Sequence, residues 1–90
     1  MNLHEENLKL IQSLMDCREY SKAFKLSNES FDKFPNTLVY KRCMAFCCGM
    51  LGDLHRSKKL WLELIEDDPY SEESLMNLSD VEFRLGRLDA

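Results

Sequence analysis

Apolar side chains recur along this chain at helical rather than strand spacing. Leu3, Leu10, Ile11 and Leu14 fall near a 3.6-residue period, as do Leu60, Leu64 and Ile65. Pro35 and Pro69 each end such a stretch, because the ring removes a backbone donor and disfavours helix in the residue before it. Asn36-Thr37 and Ser71 come just after them and are N-cap residue types. The pattern predicts helices at about 4–17, 20–33, 37–50, 54–67 and 71–85. That is two full pairs and one further helix, with no strand.

The punctuation repeats. Pro35 and Pro69 are 34 residues apart, and so are Gly52 and Gly86. Leu51-Gly52-Asp53-Leu54 becomes Leu85-Gly86-Arg87-Leu88, and Cys17-Arg18-Glu19-Tyr20 holds the same register without the glycine. A 34-residue period of helix–turn–helix units resembles the tetratricopeptide repeat (TPR). The first unit, about 4–37, supplies Leu10, Leu14, Tyr20, Ala23 and Pro35. The second, 38–71, supplies Tyr40, Met44, Ala45, Gly52, Leu54, Ser57, Trp61, Leu64 and Pro69. The third, 72–90, supplies Leu75, Leu78, Ser79, Gly86 and Leu88. Three positions depart from the family pattern: Ile11 stands where a small residue is usual, and Ser27 and Ser30 replace an aromatic and an alanine. They are expected to weaken the packing of the first unit. The resemblance implies a single all-α domain over 1–90, two repeat pairs closed by a C-terminal capping helix in a superhelical stack.

Arrays of this kind need a terminal unit whose outer face tolerates water. Leu75, Leu78 and Leu85 are expected to pack back onto the second unit. Glu82 takes the place of a residue the family buries, and a buried unpaired carboxylate would be costly. This favours a natural cap. The rival expectation is a chain that continues, since Arg87-Leu88-Asp89-Ala90 reads as the start of another helix.

In TPR units the first helix of each pair lines a concave surface. The family's inward positions fall on Leu8, Gln12, Met15 and Asp16 in the first unit. In the second they fall on Arg42, Phe46, Gly49 and Met50, and in the third on Met76, Asp80, Phe83 and Arg84. The expected groove is an apolar lane of Leu8, Met15, Phe46, Met50, Met76 and Phe83. Asp16, Arg42, Asp80 and Arg84 edge it and Gln12 lies within it. Leu10, Leu14, Met44, Cys47, Cys48, Leu78 and Val81, on the opposite faces, are the expected core. An exposed apolar lane marks a binding surface, and methionine's flexible thioether suits one that adapts to its partner. The expected occupant is an amphipathic helix of another protein.

Composition narrows the function further. With 44% hydrophobic and 31% charged residues, the chain has the balance of a folded globular domain rather than a disordered one. A net charge of −4 without a basic stripe argues against nucleic acid. No apolar run approaches the ~20 residues of a membrane span. Residues 1–9 carry Glu5 and Glu6 and lack the apolar stretch of a secretory signal. Three of the four cysteines, Cys43, Cys47 and Cys48, lie within six residues, which is no disulfide framework and suggests a cytoplasmic setting. Cys43 and Cys47 share a helix face, but no second pair completes a zinc site. They read as small buried hydrophobes. His4 and His55 lack the neighbours of a catalytic triad, and Glu63, Glu66, Asp67 and Asp68 read as a solvated face. No cofactor, metal or catalytic residue is expected.

Among short TPR proteins, the chain is similar to the chaperones that keep type III secretion needle subunits from polymerising. Ser13-Leu14-Met15 with Tyr20 and Ala23 resembles their first pair; Pro35, Tyr40, Leu51-Gly52 and Asp68-Pro69 resemble the remainder of those proteins. That likeness implies a non-catalytic chaperone whose groove holds the C-terminal helix of a secreted subunit, with a small co-chaperone outside. The alternative is the N-terminal part of a larger TPR scaffold.

Overall fold

The computed structural model describes residues 3–89. They form five helices and, among the described residues, no strand: α1 (Leu3–Asp16), α2 (Tyr20–Lys33), α3 (Leu38–Met50), α4 (Leu54–Asp67) and α5 (Glu72–Asp89). Each helix packs on the next, and α1 touches α3 while α3 touches α5. The result is a slab of 48 × 28 × 19 Å. Its radius of gyration, 13.1 Å, slightly exceeds the roughly 12 Å of a spherical domain of this length.

The turns between α1 and α2 and between α3 and α4 are built alike, 34 residues apart. In the first, Glu19 N–H donates to Leu14 O at 2.8 Å; in the second, Asp53 N–H donates to Cys48 O at 2.9 Å. Both are the six-residue closure that ends many helices, and it requires one left-handed residue. Gly52 takes that role at φ 86°, and Arg18 takes it at φ 61°. Gly86, by contrast, lies inside α5, which runs on to Asp89 instead of ending at 85. The repeated Leu-Gly pair therefore does not make a third turn. Glycine alone does not break a helix.

The core lies mainly between α3, α4 and α5. Met44, Ala45, Cys48, Leu54, Leu60, Trp61, Leu64, Val81 and Leu85 form one buried cluster. Ile11 is the buried residue of α1. α2 buries Ala23, Ser27 and Ser30. Ser27 Oγ donates to Ala23 O at 2.7 Å, and Asn7 Nδ2 donates to Ser30 Oγ at 3.3 Å, so neither hydroxyl is buried without a bond.

Several expected core positions differ. Leu10 is 51% exposed, because Ile11, one position on, takes the inward direction on α1. Leu75 is 44% exposed, since the described neighbours of α5 lie on one side and Leu75 points away from them. Leu14 and Leu78 are half-buried. The Ser71 hydroxyl caps α5 by accepting from Ser74 N–H at 3.2 Å, whereas Thr37, at the N-cap of α3, makes no side-chain capping bond. Glu82 stays exposed, 3.9 Å from Lys58.

Arg18 carries the strain that a glycine would relieve. A non-glycine left-handed residue costs roughly 1–2 kcal/mol. Arg18→Gly should therefore raise the melting temperature by several degrees, and Gly52→Ala should lower it by a similar amount. Thermal unfolding followed by circular dichroism measures both; a fall for Arg18→Gly would show that the turn carries no such strain.

Candidate protein-binding surface

Helices α1, α3 and α5 share one side of the slab, and a cleft of about 370 Å³ opens there. Gln12 and Met15 line it from α1, Val39, Arg42, Cys43 and Phe46 from α3, and Glu73 from α5. Val39, Cys43 and Phe46 succeed one another at helical spacing, so α3 presents them as a single row. Phe46 is held from behind by Tyr20, edge to face at 6.2 Å between ring centroids. Gln12 Nε2 donates to Asp16 Oδ1 at 2.9 Å along α1. Lys41, beside Arg42, is taken by Glu63 at 3.2 Å. Arg42 itself is half-buried and has no hydrogen-bond or ion-pair partner among the described residues.

Further along α3 a second hollow, of about 30 Å³, is bounded by Phe46, Gly49, Met50, Asn77, Asp80 and Arg84 among others. Arg84 Nη2 donates to Gly49 O at 2.9 Å, and Nη1 lies 3.7 Å from Asp80. Gly49 is itself buried: a β-carbon there would sit 3.3 Å from Ser57 Oγ and 3.8 Å from Arg84 Nη1.

The structure thus gathers Gln12, Met15, Arg42 and Phe46 around the larger cleft, and Phe46, Met50, Asp80 and Arg84 around the smaller hollow. Leu8 is half-buried on α1 and lines neither. Met76 and Phe83 also line neither; they are 71% and 65% exposed on α5. Sequence reasoning misses Val39, Cys43 and Glu73 as wall residues. The row Val39–Cys43–Phe46, spaced four and three, is the available signal.

Burial pushes the Cys47 thiol up to about 12, with neighbouring Cys43 and Cys48 adding to the effect. Burial also raises Cys43 and Cys48. At neutral pH these three sulfurs are protonated and are neither nucleophiles nor ready metal ligands. Among the described residues, no three of His, Cys, Asp and Glu gather around a point that could hold a metal ion, and no helix is long and apolar enough to cross a membrane. His4 is engaged structurally: the Tyr40 hydroxyl lies 2.7 Å from His4 Nδ1, and the His4 ring stands edge-on to Tyr40 and Phe34. This ties the start of α1 to α3. Burial raises the Tyr40 hydroxyl above its ordinary value, so it stays a neutral donor. Known protein families, curated proteins and solved structures offer no match to this chain.

Thiol labelling at pH 7 should modify the exposed Cys17 first, with Cys43 slower and Cys47 and Cys48 protected until denaturant is added. Raising the pH toward 12 should recruit the slower thiols as they ionise. Labelling of native Cys47 as fast as Cys17 would contradict its burial.

Proposed function

We propose that this chain is a non-catalytic, cytoplasmic protein-binding module of TPR type that holds an amphipathic helix of a partner protein in the cleft between α1, α3 and α5. Its mode of action would be that of the small TPR chaperones of type III secretion needle subunits. The observation that carries the reading is the wall formed by Met15, Val39 and Phe46 beside Arg42, a half-buried residue whose guanidinium makes no hydrogen bond or ion pair among the described residues. An apolar wall gains by being covered, and a cation without an ion-pair partner gains by meeting an acceptor. The cleft is near the low end of the ~300–1,000 Å³ of ligand pockets, which suits side chains projecting from a docked helix. Glu73 on the opposite rim would select a basic group there. The like-built turns around Arg18 and Gly52, one repeat length apart, support the TPR reading.

A domain of this size is marginally stable, and an occupant that binds only the folded form stabilises it by mass action. The test uses a displayed library of amphipathic helices. Selection should return sequences with apolar residues at i, i+3 or i+4, and i+7, and the selected peptide should raise the melting temperature. Burying one large apolar anchor contributes about 1.5–3 kcal/mol. Met15→Glu and Phe46→Glu should therefore each weaken binding at least tenfold, with far-ultraviolet circular dichroism unchanged for Met15→Glu. Selection that returns no amphipathic helix, or binding that survives both substitutions, would overturn the reading.

A further inference from the structure

The outer face of α5 is patterned for a helix, and no described residue covers it. Glu72, Met76, Ser79, Phe83 and Gly86 are spaced four, three, four and three, which places them in one stripe along the helix. Met76 and Phe83 are the large exposed members. The Gly86 position is open, with no atom within 4 Å of where a β-carbon would stand. The inward face of the same helix, Ser74, Val81 and Leu85, is buried on the rest of the protein. So α5 has two faces with apolar residues, and one of them is used.

We infer that this stripe pairs with the same stripe of a second copy, two α5 helices running antiparallel about a two-fold axis near Asp80–Val81. The stripe is self-complementary. α5 is acidic in its first turn, at Glu72 and Glu73, and basic in its last, at Arg87. An antiparallel partner therefore brings opposite charges together at both ends, whereas a parallel one sets like on like. With the helix midpoints aligned, Glu73 meets Arg87 of the second copy. Large meets small along the seam: Met76 lies opposite Gly86 of the second copy, and Phe83 opposite Ser79. Arg87 already stands over the Phe83 ring, 5.8 Å from its centroid, so the two residues that would lead the contact are ordered together. Like charges meet near the axis at Asp80 and Glu82. Each has its own cation, Arg84 at 3.7 Å and Lys58 at 3.9 Å, which reduces the repulsion. At 18 residues α5 is about 27 Å long. One helix pair of that length makes a small interface, and the dimer is accordingly a weak one that forms with rising concentration.

Sedimentation velocity of the whole chain, from micromolar to millimolar concentration, tests this. The wild type should pass from the monomer mass to twice that mass. Phe83→Glu should remain monomeric where the wild type is paired, with unchanged helix content. Arg87→Glu should weaken pairing several-fold, because it sets a carboxylate against Glu73 of the second copy. The double exchange Glu73→Arg with Arg87→Glu should restore most of it, because the swapped charges still complement each other across the axis. A wild type that stays monomeric throughout, a dimer indifferent to Phe83→Glu, or no recovery in the double exchange would overturn the inference. Phe83 lies outside the cleft, so the outcome of Phe83→Glu is separate from the fate of the helix-binding proposal.

Discussion

Where α3 crosses α4 the residues in contact are small. Ala45, Gly49 and Ser57 are all buried, and the backbones approach closely enough for Ser57 Oγ to donate to Ala45 O at 2.8 Å. Any side chain at Gly49 would press on Ser57. The close crossing leaves Trp61, one turn further along α4, to fill the space beside it, and leaves the Gly49 carbonyl able to accept from Arg84 of α5. One contact thus fixes three helices. α3 is oriented by Ser57 on one flank and Arg84 on the other, and the cleft wall it carries inherits that orientation.

The first pair solves the same crossing the other way round. A 34-residue offset sets Ile11 against Ala45 and Ser27 against Trp61. In the second pair the leading helix carries the small residue and the second helix the large one; in the first pair Ile11 is the larger and Ser27 the smaller. All four are buried. The total volume is nearer to conserved than either change alone implies, which is the kind of exchange cores tolerate best. Even so, the first pair buries less apolar surface, and α1 contributes Ile11 as its buried side chain. Opening free energy follows local burial, so α1 is the edge from which this slab loosens, with the Tyr40–His4 contact as its tether.

This compensation explains what can be read from the chain and what cannot. Prolines and the Arg18 and Gly52 turns act locally, through backbone donors and φ, and so they mark helices and turns correctly without knowledge of neighbours. Ile11, Ser27 and Ser30 look like weaknesses when each is judged alone; their meaning lies in which residues face them. Leu10 and Ile11 are adjacent and similarly apolar, and the direction of approach of α2 decides between them. Gly86 shows the limit most plainly. It shares its flanking leucines with Gly52, yet it keeps helical geometry and α5 continues through it to Asp89. The candidate surface divides in the same way: the resemblance to the repeat pattern points to Phe46 and Arg42, which line the cleft, while the contribution of Glu73 depends on how α5 lies across α3.

Glu73 is the residue that belongs to both proposed surfaces. It forms one rim of the cleft, and in the antiparallel pairing of α5 it faces Arg87 of the second copy. A docked helix that placed a cation on Glu73 would draw it from that ion pair. Exposed pairs of this kind contribute about 0–1 kcal/mol each, and the two-fold axis supplies two of them. Occupancy of the cleft would then disfavour pairing by a modest factor, and pairing would disfavour occupancy by the same factor, since coupling between two binding equilibria is reciprocal. A weak self-association covering an apolar stripe, released as the cleft fills, needs no conformational change in the slab. It needs only that one carboxylate be shared between two faces of the same helix.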